Sequence, residues 1–166
     1  MKLSKGLILL IVAVALGPLH AQQKPADTDK WDVTADYGPA TKVTFETNEG
    51  TWMNLDVSPD GRTIVFDILG DIYIMPIEGS GSKPATRLLG GAAFDMQPRF
   101  SPDGRRIAFT SDRDGLWNIW TMDVDGKNLK QISRDRRWFI NSPTWSPDGE
   151  YIYARRHFVA ERSLGA

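Results

Sequence analysis

The 166-residue chain has no cysteine and only two histidines. Without cysteine it can form neither a disulfide framework nor a lipid-modified amino terminus. One histidine, His20, lies in an amino-terminal segment that we expect to be removed, which leaves His157. A single histidine cannot build a zinc site, and the chain has no His-x-His pair. We therefore interpret His157 as a packed or exposed strand residue.

Other signatures of enzyme chemistry are also missing. The chain has no Gly-x-Ser-x-Gly elbow, which would hold a hydrolase nucleophile. Residues 112–115 and 123–126 resemble calcium loops, but both lack the third acidic position and the distant glutamate. We interpret them as hairpin turns. We predict no catalytic residue, no metal ligand and no cofactor-binding residue, and hence no cofactor, in this segment.

The chain has no excess of positive charge. Its 20 lysines and arginines nearly balance 21 acidic residues, for a formal net charge of −1. Nucleic-acid-binding domains usually carry a basic face. We therefore predict no nucleic-acid partner.

The chain has one long apolar run, residues 7–16, which follows two lysines and precedes a helix-breaking Gly-Pro pair. This order is typical of a secretory signal peptide, here residues 1–21, with cleavage between Ala21 and Gln22. An uncleaved anchor is the alternative, but a spanning helix needs about 18 apolar residues. We expect a bacterial periplasmic or secreted protein with no membrane span after cleavage.

One tetrapeptide is present three times. Ser-Pro-Asp-Gly starts at residues 58, 101 and 146, so that the copies are 43 and 45 residues apart. Proline presets φ, aspartate bonds to local backbone and glycine adopts the left-handed conformation, which together predict a tight turn. A β-rich stretch follows each copy, which indicates a β-hairpin. The turn residues are Ser58, Pro59, Asp60, Gly61, Ser101, Pro102, Asp103, Gly104, Ser146, Pro147, Asp148 and Gly149.

The segments after the first two turns also repeat. Residues 71–79 align with residues 118–126 at an offset of 47, so the second unit has four extra residues, within 111–115, before its third strand. The aligned third strands are apolar on both faces, which fits a blade packed between two others. A period of about 40–45 residues with β patterning is that of a propeller blade. The predicted fold class is all-β, a β-propeller of four-stranded antiparallel blades, with about two and a half blades present.

This repeat predicts the domain organisation. A propeller usually has 4–8 blades, so we expect the chain to be the amino-terminal fragment of a larger ring. The predicted segments are a signal peptide at 1–21, a linker at 22–41 and a partial propeller at 42–166. Within the propeller we predict a ring-closing outer strand at 42–47, blade 1 at 52–89, blade 2 at 96–133 and the start of blade 3 at 141–166.

The run SPDGRRIAFTSDRDGLWNIWTMDVDG, residues 101–126, resembles the repeat of TolB-type β-propellers. Residues 58–79 are a second, shorter copy, and residues 141–155 begin a third. The resemblance implies the propeller fold. It implies little about function, because such blades serve envelope scaffolds, peptidases and hydrolases alike.

The resemblance leaves three hypotheses for the longer protein. The favoured one is the amino-terminal propeller of an exported metal-dependent amidohydrolase, in which a divalent metal such as zinc would belong to the downstream domain. The second is an envelope scaffold like TolB, although TolB has an α/β domain between signal and propeller, where this chain has only about 20 residues. The third is the propeller of a prolyl-oligopeptidase-class serine peptidase. Each implies a rigid binding or gating scaffold, whose partners are the downstream domain of the same polypeptide and envelope proteins or peptides.

The connection after the second unit is rich in arginine and aromatic residues. In a propeller, connections from an outer strand to the next inner strand rim one mouth of the channel, where ligands often bind. This stretch predicts an anion or peptide contact, with a tryptophan as stacking surface. The alternative is a solvated loop whose aromatic residues pack against a neighbouring blade. The residues concerned are Arg134, Arg136, Arg137 and Trp138.

Overall fold

The structure is a computed structural model that describes residues 32–35, 38–79, 81 and 84–157. These residues form ten strands, and none of them lies in a helix. The first four strands are β1 (Leu55–Val57), β2 (Thr63–Ile68), β3 (Asp71–Pro76) and β4 (Thr86–Leu89). The next four are β5 (Asp95–Phe100), β6 (Arg106–Ser111), β7 (Asn118–Asp123) and β8 (Lys130–Gln131). The last two are β9 (Phe139–Trp145) and β10 (Ile152–His157).

Each group of four strands forms one antiparallel sheet, in which every strand pairs with the next along the chain. We call these sheets blade 1 and blade 2, and the hairpin of β9 and β10 blade 3. The predicted all-β propeller architecture is confirmed. The extra residues of the second repeat lie between β6 and β7, which are joined by residues 112–117, whereas residues 69–70 join β2 and β3.

Each Ser-Pro-Asp-Gly stretch forms the turn between the first two strands of a blade. In blade 1 the backbone N–H of Ser58 donates to the carbonyl of Thr63 at 2.8 Å, and the Ser58 hydroxyl accepts the N–H of Thr63 at 2.9 Å. That hydroxyl also donates to Oδ1 of Asp60 at 2.6 Å. The same bonds recur in residues 101–106 and 146–151, so the three turns are closed alike.

Blade 1 packs face to face on blade 2 through a shared apolar core. Val65 and Ile72 of blade 1 are fully buried against Ile107, Phe109 and Met122 of blade 2. Burying an apolar side chain of this size contributes about 1.5–3 kcal/mol relative to leaving it in water. This core therefore fixes the position of the connections at both ends of the blades.

Hydrogen bonds between blades also fix the start of each inner strand. Gln97 and Ser142 have φ angles of 59° and 56° and interrupt the regular pairing of β5 and β9. The N–H of Gln97 donates to the buried carboxylate of Asp67 in blade 1 at 2.6 Å. In turn, Oε1 of Gln97 accepts the N–H of Ser142 at 2.8 Å and the hydroxyl of Thr110 at 3.0 Å. A side chain of one blade thus binds the backbone of the next.

The predicted outer strand at 42–47 is not formed in the structure. These residues have no regular secondary structure and are all exposed. A strand is stabilised by pairing with a neighbour, and no described strand pairs with this segment. Its ring-closing role stays a prediction.

Several predicted segments lie wholly or partly outside the described residues. These are the signal peptide with its cleavage after Ala21, most of the linker, and residues 158–166 of the predicted third blade. The described part of blade 3 begins at Phe139, two residues before the predicted start, and ends at His157.

Candidate functional site

The connections between strands lie at two opposite ends of the blades, because successive hairpins leave opposite ends of each strand. The turn end carries the Ser-Pro-Asp-Gly turns and the connections between third and fourth strands. The loop end carries the connections between second and third strands and the links between blades. Its segments are residues 69–70, 90–94, 112–117 and 132–138.

Asp135 organises the arginine-rich segment of the loop end. Its Oδ1 accepts the backbone N–H groups of Arg137 and Trp138, each at 2.8 Å, and its Oδ2 pairs with Arg156 at 2.9 Å. Burial pushes the pKa of Asp135 upward, but the two N–H bonds and the Arg156 guanidinium outweigh it, so the pKa is lowered from its ordinary 3.8. The carboxylate is therefore ionised at neutral pH and holds the segment in one conformation.

Trp138 carries arginine side chains of the same chain. The guanidinium of Arg137 lies 4.6 Å from the centroid of the Trp138 ring, and that of Arg156 lies 5.8 Å from it. Arg136 instead reaches across to Asp114, with 3.3 Å between Nη1 and Oδ2. Two of the four predicted contact residues, Arg137 and Trp138, thus belong to one cluster of cationic and aromatic groups, and Arg136 pairs separately with Asp114. Arg134 is exposed and belongs to no contact described here.

The buried side chain of Asn118 connects this segment to blade 2. Its amide nitrogen donates to the carbonyl of Asp135 at 3.1 Å. Its carbonyl oxygen accepts the N–H of Asp135 at 2.9 Å and the hydroxyl of Ser133 at 2.8 Å. Asn118 therefore anchors the segment to β7. Sequence reasoning placed Asn118 in a third strand but did not identify this role, because nothing in the repeat distinguishes an anchoring amide from an exposed one.

Three aromatic rings line the loop end, from the connection between blades 1 and 2 (residues 90–94) to blade 3. Phe94 and Trp117 stack with centroids 6.4 Å apart and planes at 5°, and Trp117 meets Phe139 at 5.8 Å. Phe94 keeps 47% of its surface exposed. The three rings form an apolar band beside the cationic cluster. None of the three is among the four residues predicted as contacts.

A buried ion pair supports the same end. Nη2 of Arg113 lies 2.6 and 2.8 Å from the two carboxylate oxygens of Asp95, whose side chain is fully buried. Burial raises the pKa of Asp95, and hydrogen bonds from Ser111 and Arg113 oppose that shift. The pair joins the link between blades to the β6–β7 connection, and sequence reasoning did not find it.

The other residues singled out in the sequence, His157 and the two calcium-loop-like stretches, lie in a strand and in turns. His157 ends β10, opposite Phe139 in the strand register. In the two calcium-loop-like stretches, the N–H of Gly115 donates to Asp112 O at 2.7 Å and that of Gly126 to Asp123 O at 2.9 Å, which are turn bonds. Within residues 32–35, 38–79, 81 and 84–157, no three histidine or acidic side chains are grouped as metal ligands would be. The same residues include no helix of a length and hydropathy that would cross a membrane.

Among curated proteins, an uncharacterized protein of Agrobacterium fabrum is 38% identical over 101 residues, which cover 57% of this chain and 32% of that protein. The uncharacterized peptidase YuxL of Bacillus subtilis is 37% identical over 83 residues, 49% of this chain and 12% of the peptidase. This chain therefore spans less than a third of the length of either relative.

Two solved structures superpose on part of this chain. A TolB candidate from Agrobacterium tumefaciens superposes with a TM-score of 0.58 at 32% identity, over 66% of this chain and 40% of that one. TolB from Acinetobacter baumannii superposes with a TM-score of 0.50 at 28% identity, over 64% of this chain and 27% of that one. The family model of the TolB beta propeller domain matches residues 47–162. On this match over most of its length, the chain belongs to the TolB β-propeller family.

Proposed function

We propose that this propeller is a rigid binding and gating scaffold of an exported protein and that it receives peptide segments at its loop end. The observation that carries the proposal is the preorganised cluster around Trp138. Asp135 and Asn118 hold its backbone, and Arg137 and Arg156 stack on its ring. A surface that is already ordered loses little entropy when a partner binds.

The chemistry of the loop end favours a peptide that carries both carboxylate and apolar side chains. Tryptophan and arginine dominate the energetics of protein interfaces. Arg136 and Arg137 are exposed residues, and a guanidinium pairs well with carboxylates; Arg136 also pairs with Asp114 of the same chain. The aromatic band of Phe94, Trp117 and Phe139 lies on the same end for apolar side chains.

Two enzymatic hypotheses for the longer protein have different support. The likeness to the uncharacterized peptidase YuxL favours the peptidase hypothesis, in which the loop end would screen peptides on their way to an active site. The amidohydrolase hypothesis rests on the resemblance of residues 58–79, which lie soon after the predicted signal peptide, to the opening blade of that group. A Gly-x-Ser-x-Gly elbow in the downstream reading frame would support the peptidase, and a His-x-His pair would support the amidohydrolase.

Trp138→Ala is expected to weaken the binding of an acidic, aromatic peptide such as acetyl-Asp-Phe-Asp-Tyr-amide at least fivefold. The substitution removes the surface on which both guanidinium groups are ordered. Fluorescence anisotropy of the labelled peptide against the full gene product measures the loss. Trp52→Ala is the matched control, because Trp52 is 99% exposed. Equal affinities for the Trp138 variant and the parent would contradict the proposal.

We also propose an envelope or extracellular location, which membership of the TolB propeller family supports. The expected result is a mature protein that begins at Gln22, because residues 1–21 have the order of a signal peptide. Amino-terminal sequencing of protein from the periplasm or medium tests this. A cytoplasmic protein that still begins at Met1 would overturn it.

A further inference from the structure

An open cleft lies at the turn end, between the first turns of blades 1 and 2. Its volume is about 330 Å³. Its apolar side is formed by Ile74, Phe100 and Val124. Its polar side is formed by both turns, with the carboxylates of Asp60 and Asp103. The cleft lies at the opposite end of the blades from the peptide site proposed above.

The equivalent place between blades 2 and 3 is occupied by a side chain of the protein. The guanidinium of Arg106 lies 4.7 Å from the centroid of the Trp145 ring, and its Nη2 is 3.5 Å from the carbonyl oxygen of Gly149. Arg106 is the fifth residue after the serine of its turn, and Trp145 directly precedes the serine of the next turn. The repeat thus has a place for an arginine against an aromatic ring.

The first cleft has the same parts except the arginine. The fifth residue after Ser58 is Thr63, whose side chain is too short to cross the cleft, and the residue before Ser101 is Phe100 in place of tryptophan. Phe100 and Thr63 both line the cleft. One turn therefore leaves room where the next turn holds a guanidinium.

The two clefts also have the same spacing between turns. A β-carbon built on Gly104 would lie 3.5 Å from the ring of Pro59, and one built on Gly149 would lie 3.6 Å from the ring of Pro102. The openness of the first cleft therefore comes from its side chains and not from a wider separation of the blades.

The two aspartates of the first cleft favour a cation, with Arg62 acting on the carboxylate of Asp60 and Arg105 and Arg106 acting on that of Asp103. Asp60 and Asp103 each accept the hydroxyl of the preceding serine and a backbone N–H, which lower the pKa of both carboxyls from 3.8. Both are therefore ionised at neutral pH. A planar guanidinium can stack on an aromatic ring and donate to carboxylates at once, whereas an ammonium does this less well.

We propose that this cleft is a docking site for an arginine side chain of a partner protein. The arginine would enter the cleft beside Phe100, of which 7% of the surface is exposed, with its guanidinium near Asp60 and Asp103. It would enter the place that Arg106 takes between the next two blades, where Arg106 contacts the Trp145 ring and the carbonyl oxygen of Gly149, and it would in addition pair with the turn aspartates. Partners that dock here would approach the turn end, and the loop end would remain free for peptides.

The test is a titration of the isotope-labelled full gene product with acetyl-arginine-amide, followed by nuclear magnetic resonance. We expect saturable shifts of the backbone amides of Asp60, Phe100 and Gly104. Acetyl-lysine-amide should bind at least threefold more weakly, and acetyl-citrulline-amide, which has the same shape without the charge, should cause no saturable shift. Equal shifts with arginine and citrulline would overturn the proposal.

Two variants localise the binding. Thr63→Arg supplies the guanidinium from the chain itself and should reduce the affinity for acetyl-arginine-amide at least tenfold. Asp60→Asn should reduce it about fivefold, whereas Asp148→Asn, at the equivalent position of the third turn, should leave it unchanged. Unchanged binding in the Asp60 variant would overturn the site. If the same amides shift as the protein concentration rises without any ligand, a second copy of the chain occupies the cleft. That result would overturn the proposal of a separate partner protein.

Discussion

Asp95→Ala is expected to lower the free energy of unfolding by about 3–5 kcal/mol, because it leaves the guanidinium of Arg113 without its buried partner. Both carboxylate oxygens of Asp95 lie within 2.8 Å of Nη2 of Arg113, and only 18% of the Arg113 side chain is exposed. The guanidinium also lies over Phe109 and Trp120, at 5.9 and 5.4 Å from the ring centroids, so it cannot move to water without disturbing the core. Chemical denaturation followed by tryptophan fluorescence measures the change.

The matched control is Arg87→Ala, which breaks an ion pair of the same kind at the surface. Arg87 pairs with Asp71 at 3.2 Å, and 61% of its side chain is exposed. Solvent screens such pairs, which typically contribute about 0–1 kcal/mol. A loss at Asp95 no larger than the loss at Arg87 would show that the buried pair does not hold the link between blades 1 and 2.

The pH dependence of stability separates Asp95 from the aspartates of the turns. Burial raises the pKa of Asp95 above 3.8, so the folded state keeps a proton there that the unfolded state has lost. Its contribution to stability is therefore complete below pH 3.8 and decreases as the pH rises through the folded pKa. The turn aspartates have lowered pKa values, so their contributions are lost as the pH falls below 3.8. In the Asp95→Asn variant, the decrease in the free energy of unfolding above pH 3.8 should disappear. The loss of unfolding free energy below pH 3.8, which comes from the turn aspartates, should remain.

The propeller fold could be predicted because its information is local and repeated. Four adjacent residues determine each turn, and the hydroxyl of Ser58 makes the same bonds as its equivalents in the other two turns. Burial of the third strands was also predicted from their apolar pattern. Ile72 and Ile119 are buried as expected. Tyr73 is only half-buried, because none of the described blades covers its face of blade 1.

The loop end was predicted only in part, because its contacts join residues that do not repeat. Arg113 lies in the insertion that distinguishes the second repeat from the first, so aligning these two repeats could not pair it with Asp95. The arginine-rich composition did indicate the segment around Trp138. The composition could not indicate that Asp135 and Asn118 would order that segment, because their contacts form only when β7 lies beside the segment.

The contrast between Arg106 and Thr63 could have been noticed in the sequence, because the turns fix their alignment. Its meaning required the structure. Only the structure shows that the Arg106 guanidinium lies on the Trp145 ring and that a cleft lies beside Thr63. Comparing the copies of a repeat with one another therefore shows where one copy lacks a side chain that the next copy has, as Thr63 lacks the guanidinium of Arg106.

Gly126→Ala is expected to destabilise the protein by about 2–5 kcal/mol, through two separate effects. Gly126 has a φ of +82°, where a side chain costs roughly 1–2 kcal/mol. A β-carbon there would also lie 2.7 Å from the carbonyl oxygen of Leu88, in the fourth strand of blade 1. That oxygen belongs to the backbone, so the two blades must move apart, and forced repacking of this kind costs about 1–3 kcal/mol. Midpoints of urea unfolding measure the loss.

Gly61→Ala separates the two effects, because Gly61 has a similar φ of +73° but no atom within 4 Å of its β-carbon position. This variant should lose only the strain, about 1–2 kcal/mol. The difference between the two variants is then the cost of disturbing the contact between the β7–β8 turn of blade 2 and the outer strand of blade 1. If both lose the same stability, this contact contributes nothing measurable, and the packing of the two blades depends on the core around Val65 and Phe109 alone. A larger loss at Gly126 would mean that the outer strands, and not only the core, hold blade 2 in register with blade 1.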